Sequence, residues 1–171
     1  MTIMPQRHTT LTGAAGEHYI AFVLSTHGYV AALTRGGTPS VDVLCSSVDG
    51  KHTLATQVKT SSYAYRGRKR KPEDSHWEFD VGWKAVGNRD DSFLYAFVCL
   101  QGSGEGRPIV FIAPPSDIAD ALGDGYKRNI FWVMEKDRHQ YEVENWKLIE
   151  DILGPSVLAG AVVKEIETDP I

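Results

Sequence analysis

Two runs joined by a turn decide the fold: Ser40-Val41-Asp42-Val43-Leu44-Cys45-Ser46-Ser47 and His52-Thr53-Leu54-Ala55-Thr56-Gln57-Val58-Lys59, with Asp49-Gly50 between them. Each run reads as a strand, and Asp-Gly between two apolar runs predicts a two-residue hairpin. Such a turn pairs Val48 with Lys51 and, by continuation, places Asp42 directly opposite Gln57. Side chains alternate along a strand, so Lys59 shares the face of Gln57, with Ala55 and Leu44 beside them. Val41, Val43, Leu54, Thr56 and Val58 take the other face, which reads as core. Three polar side chains on a mainly apolar hairpin need partners if buried. Asp42 and the Gln57 amide oxygen are hard oxygen ligands suited to a divalent cation. Lys59 beside that cation stays charged or acts on a reacting phosphate. On its own, the same pattern also fits a solvent-exposed hairpin face.

Upstream, Ile20, Val23, Leu24 and His27 recur at helical spacing and predict a helix from about Leu11 to Thr26, with Thr10 or Thr12 at its start and Gly28 at its end. Glu17 stands three residues before Ile20 and seven before Leu24, on the stripe that faces the sheet. A carboxylate there is unexpected for packing alone. Gly13 and Gly16 precede it, and small residues let a helix approach a strand closely. A helix laid across the hairpin delivers Glu17 to the patch of Asp42, Gln57 and Lys59.

The remaining chain divides into short elements. Tyr29 to Leu33 reads as a strand, and Arg35 to Pro39 as a turn. Thr60 to Asp74 is a polar, basic loop or hairpin tip. His76 to Val86 begins as a strand with Trp77, Phe79, Val81 and Trp83 alternating. Phe93 to Leu100 is a continuous apolar run and reads as a buried strand. Pro108 to Ala113 is a further strand, Ser116 to Leu122 a short helix, and Ile130 to Met134 an edge strand. Tyr141 to Leu153 is a last helix ended by Gly154-Pro155. This order predicts one α/β (α+β) domain over residues 11–154, a three-layer core with a mixed central sheet flanked by helices. Residues 1–10 read as a flexible arm and 155–171 as a tail.

With 171 residues, 42% hydrophobic and 23% charged, the chain has the composition of a soluble globular domain. No apolar run is long enough to span a bilayer, and the polar start does not read as a secretion signal. Cys45 and Cys99 sit in apolar runs and read as free thiols in a reducing cytoplasm. Net charge is −4, but Arg66, Arg68, Lys69, Arg70 and Lys71 lie within six residues with no acid among them. An acidic body with one basic segment fits a local phosphate contact, not a nucleic-acid coat protein.

The segments Gly16-Glu17, Pro39-Ser40-Val41-Asp42-Val43-Leu44 and Gln57-Val58-Lys59 resemble, in order and spacing, the PD-(D/E)XK nuclease superfamily, whose fold is restriction-endonuclease-like. The Gly-x-x-Gly-Glu start and the Gln-Val-Lys-Thr-Ser ending look most like archaeal Holliday-junction resolvases and small bacterial relatives. Similarity runs loosely through Phe93–Val98, Phe111–Pro114 and Trp146–Ile149. Two departures stand out: two residues separate Pro39 from Asp42, and Gln57 stands where an acid is commonest. The resemblance implies a metal-dependent nuclease hydrolysing phosphodiester bonds, DNA foremost. Glu17, Asp42, Gln57 and the Val58 carbonyl would hold Mg²⁺, or Mn²⁺ in its place, and Lys59 would orient water or neutralise developing charge. The basic residues Arg66, Arg68, Lys69, Arg70 and Lys71 would contact the nucleic-acid backbone. A homodimer is compatible with cutting two strands. Two alternatives stay open: a catalytically silent domain that binds nucleic acid or protein, and an RNA-directed or toxin-type nuclease.

Other signals are weaker. Tyr63 and Tyr65 could stack on unpaired bases, though two loop tyrosines say little. Trp77, Trp83, Trp132 and Trp146 read as core or edge packing, and His18 as surface. His76 is a further candidate for assisting at the site. Gly102 to Gly106 lacks the Lys-Ser/Thr of a phosphate loop and reads as a turn.

Overall fold

Residues 9–35, 40–82, 85, 87–100, 106–123 and 129–156 are described by a computed structural model of the chain. Most of the expected N-terminal arm, residues 36–39 of the turn, Trp83, residues 102–105 of the glycine-rich turn and the tail beyond Ser156 lie outside the described residues. The elements run α1 (Thr9–Thr26), β1 (Val30–Leu33), β2 (Val43–Ser46), β3 (Thr53–Ser61), β4 (Tyr65–Arg66), β5 (His76–Asp80), β6 (Phe93–Cys99), β7 (Ile109–Ala113), α2 (Pro115–Leu122), β8 (Ile130–Met134) and α3 (Trp146–Leu153).

Five strands form the central sheet in the order β1-β2-β3-β6-β7. The β3–β6 pair is parallel and the other three are antiparallel, so the sheet is mixed. Ile20 and Leu24 of α1 and Ile149 and Leu153 of α3 pack on one face, against Val43, Leu54, Val58, Ala96 and Ile112. Ile118 and Leu122 of α2 cover the other face, together with Trp77, Phe79, Phe131 and Val133. Every residue of β6 is buried, because alternate side chains serve two cores. This is the expected mixed sheet flanked by helices. One feature is additional: β4, β5 and β8 form a separate antiparallel sheet that backs the aromatic core.

The hairpin register is the expected one, with Val43 opposite Thr56, Leu44 opposite Ala55 and Cys45 opposite Leu54. The turn differs. Ser47 N–H donates to His52 O (3.0 Å) and Gly50 N–H to Ser47 O (3.0 Å), so the loop is the four residues Val48 to Lys51. Two-residue and four-residue loops here share one midpoint, so the register is unchanged. Gly50 takes the left-handed conformation (φ 71°) that the loop requires. The expected last helix is also interrupted. A π-helical turn spans Gln140–Glu144, and Asn145 donates its side-chain amide to Ile112 O (2.9 Å) before α3 begins. Gly154 ends α3 with φ 83°. Among the described residues no helix is long and apolar enough to cross a membrane.

The two glycines of α1 are not equivalent. Gly13 has open space around it, whereas a Cβ on Gly16 would overlap Thr60 Oγ1 and lie 2.9 Å from Thr60 Cβ and Cγ2. Gly16 therefore sets how closely α1 lies on β3. Gly16→Ala is expected to lower stability by ~1–3 kcal/mol, as overpacking does, and Thr60→Ala should recover part of that loss. Gly13→Ala should be neutral or stabilising. Thermal denaturation of the two single variants and the Gly16/Thr60 double variant checks this.

Candidate active site

The site is built around an irregularity in β2. Val41 packs with Ala55 against the aromatic core, while Val43, two residues on, is buried in the core under α1. Unbroken alternation would put both on one face, as the sequence reading expected, so the pleat breaks at Asp42. Asp42 N–H donates to Thr56 O (2.9 Å), although Thr56 is already the partner of Val43. Two consecutive residues thus oppose one, the arrangement of a β-bulge.

The bulge reassigns a hydrogen bond. Continuing the register would set Val58 opposite Val41, but the Val58 N–H donates instead to the Asp42 carboxylate (2.7 Å to Oδ2). Thr34 holds the outer side, donating its N–H to Asp42 O (3.0 Å) and its hydroxyl to Val41 O (2.6 Å). This corrects the expected placement of Asp42 opposite Gln57: its carboxylate lies at the edge of β3, against the backbone of Val58. Thr34 is a positioning residue that sequence reading missed, and nothing in its local sequence marks it.

Glu17 is half-buried and follows Gly16, the point where α1 meets β3. Its carboxyl is held above the ordinary 4.5, first by burial and then by repulsion from Asp42, with His18 partly offsetting both. The structure therefore brings Glu17 and Asp42 within each other's field. His18 itself is exposed, as expected.

Gln57 and Lys59 flank Val58, and both are half-buried. Their partners on β6 are Tyr95 and Phe97, which belong to the aromatic core, so alternation directs both side chains to the face away from α1. The Asp42 carboxylate thus sits against the β2 side of β3, with Gln57 and Lys59 on the face of that strand away from α1. Strand geometry turns the Val58 carbonyl to the same side as its N–H, toward Asp42. Among the described residues no three His, Cys, Asp or Glu side chains converge as a metal cluster. Two carboxylates within each other's field, one of them against the Val58 backbone, are a donor set that suits Mg²⁺, which commonly takes one or two carboxylates and completes its shell with water and substrate oxygens.

The basic segment separates into two classes. Arg66 is fixed by Glu78 (2.7 Å) and by the Tyr63 and Tyr65 carbonyls (2.8 and 3.2 Å), and Lys71 lies 3.9 Å from Asp74. Arg68, Lys69 and Arg70 are exposed. Tyr63 and Tyr65 are exposed too, with Tyr65 packed on the buried Trp77 (4.9 Å between rings). Trp146 is stacked on His27 (4.9 Å).

No family model matches the chain, and no curated protein matches it. Among solved structures it is similar to a bacterial homing endonuclease, I-Ssp6803I, with 19% sequence identity and a TM-score of 0.49, over 93% of this chain and 99% of that one.

Asp42→Ala strands the buried Val58 N–H and should cost ~1–3 kcal/mol, whereas Asp42→Asn keeps an acceptor and should fold normally; denaturant titration distinguishes them. Glu17 adds a pH signature. Its carboxyl is raised in the folded state, so its contribution to stability is full below pH 4.5 and is lost as pH rises through the raised value. Glu17→Gln should remove that pH dependence and leave stability at neutral pH unchanged or higher. In Asp42→Asn, a carbon-detected NMR titration should find the Glu17 carboxyl closer to its ordinary value but still raised, because burial remains.

Proposed function

We propose that the chain is a metal-dependent nuclease of the PD-(D/E)XK type that hydrolyses phosphodiester bonds, with DNA as its substrate. The observation that carries this reading is the Asp42 carboxylate, anchored on the Val58 N–H (2.7 Å), with Glu17 brought in on α1 where Gly16 meets β3. Two acids whose fields overlap would favour a cation between them. Glu17, Asp42 and the Val58 carbonyl would hold Mg²⁺ or Mn²⁺, with Gln57 offering a neutral amide oxygen. The bound ion would supply Lewis acidity toward the phosphate and lower the pKa of water at neutral pH.

The chain's own groups do the rest. Asp42, fixed at its backbone by Thr34 and Thr56, holds its position without reorganising as charge develops. Lys59 carries its ammonium on a flexible four-carbon stem, long enough to bring positive charge round the strand toward a phosphate at the β3 edge. Arg68, Lys69 and Arg70 would draw the nucleic-acid backbone to the molecule. The buried, unpaired Cys45 and Cys99 suit a reducing cytoplasm.

One observation favours a second reading. Gln57 and Lys59 face away from α1, and Gln57 adds no third charge. A catalytically silent domain that binds nucleic acid would tolerate both. Cleavage assays on duplex, branched and single-stranded DNA and on RNA, with Mg²⁺ or Mn²⁺, separate the readings. Cleavage is expected on DNA, lost in Asp42→Asn, and reduced by ~10²–10³ in kcat by Lys59→Met. Absence of cleavage on every substrate, together with no heat of Mn²⁺ binding, would select the silent reading. Cleavage of RNA alone would select the RNA-directed one.

A further inference from the structure

The second sheet carries a pocket lined by none of the groups proposed to hold the metal. β5 and β8 pair His76 with Met134 and Glu78 with Trp132. Alternation sends Trp77, Phe79, Phe131 and Val133 into the aromatic core and leaves His76, Glu78, Trp132 and Met134 on the side away from it. Side chains on that side should be wet, yet His76 is only 3% exposed. The basic segment curls over it. Arg68 N–H donates to Ser75 Oγ (3.0 Å), and Glu135 N–H donates to Ser75 O (2.9 Å), which ties the curl to the strand end. Between loop and sheet lies a pocket of about 640 Å³, lined by Arg68, Lys69, Arg70, His76, Trp132 and Met134 among others. That volume lies in the range of small-ligand sites.

The pocket's walls differ in chemistry. On the loop side, no ion pair or side-chain hydrogen bond engages Arg68, Lys69 or Arg70 among the described residues, in contrast to Arg66 and Lys71. On the sheet side, Trp132 is 45% exposed and backed by His76, stacked at 4.5 Å. The His76 Nδ1 lies 2.8 Å from Asp74 O, which can only accept, so Nδ1 carries the proton. Its Nε2 is buried without a hydrogen-bond partner and lies 4.0 Å from Glu78 Oε2. Uncommitted cations facing a supported aromatic plate, with an unmatched imidazole behind it, suit one ligand class. That class joins a phosphate to a planar, hydrogen-bonding ring.

We propose that this pocket binds one unpaired nucleotide, its base against Trp132 and Met134 and its phosphates on Arg68, Lys69 and Arg70. A paired base keeps both faces inside the duplex stack and cannot enter a concave pocket, so the site discriminates unpaired from paired strands. Gly67 follows Lys59 by eight residues, so the pocket lies within about 28 Å of the catalytic strand at full chain extension. The choice of nucleic acid as ligand rests on the nuclease reading, whereas the pocket itself uses neither Glu17 nor Asp42.

The test is binding of the full chain, without divalent cation so that nothing is cut. The probes are a fluorescein-labelled oligothymidylate, a duplex with a one-nucleotide bulge and the same duplex without it. Trp132→Ala should weaken the first two by about tenfold and the last by less than twofold. Because that change also uncovers His76, two milder variants accompany it. Trp132→Phe should keep most of the affinity. The exposed pair Lys69→Gln/Arg70→Gln should lower the single-strand salt slope by about 1.4. Equal losses on all three probes, or none on any, would overturn the proposal. Trp132-dependent binding in a protein that cleaves nothing would sink the nuclease reading and sustain this one. Cleavage with binding indifferent to Trp132 would do the reverse.

Discussion

The hydrogen bond from the Val58 N–H to the Asp42 carboxylate joins the fold to the site. It replaces a backbone bond that the bulge removes, so a side chain completes the ladder between β2 and β3. A hydrogen bond to a charged group contributes ~1.5–3 kcal/mol, more than a typical neutral ladder bond. β3 also carries Gln57 and Lys59, receives α1 at Thr60 and pairs with β6 along its length. A one-residue slip of β3 would exchange its two faces and detach all of these together. Asp42 therefore fixes the register of the strand whose residues it would work beside.

Against this fixed strand, α1 brings an acid that folding alone does not want. Gly16 removes the side chain that would hold the helix away, and Ile20 and Leu24 anchor the turns that follow. The same approach half-buries Glu17 and sets it in the field of Asp42, and both effects oppose its ionisation. Such local conflict within a consistent fold is what a functional site is expected to look like.

The parts of this arrangement that were legible in sequence are those fixed locally. The hairpin register followed from the midpoint at Asp49-Gly50 even though the loop length did not. The strand character of Phe93 to Cys99 followed from its uninterrupted apolar run, and free buried thiols from two cysteines in apolar runs. What was illegible depended on distinguishing identical residue types by distant neighbours. Val41 and Val43 are the same amino acid, and only the ladder reveals that they serve different cores. Gly13 and Gly16 are likewise indistinguishable until Thr60 is in place. Arg66 looks like Arg68 and Arg70 until β5 brings Glu78 beside it. The pairing of β5 with β8 spans some fifty residues of intervening chain, and periodicity carries no information about which strands meet.

On the proposed reading, the charge of the two acids gives Gln57 a physical rationale. Glu17 and Asp42 already repel, and burial already disfavours charge on Glu17. A third carboxylate on β3 would add to that repulsion whenever no cation is bound. On that reading, an amide keeps an oxygen donor and removes the charge, which would lower the repulsion among the ligands and with it the affinity for a free cation. A phosphate arriving with its own negative oxygens would then restore the missing charge and complete the shell of the proposed ion. On the proposed reading, metal and nucleic acid would then bind with mutual support, each tightening the other by the same factor. The uncommitted arginines and lysine would contribute by raising the local concentration of the polyanion that supplies the remaining ligands.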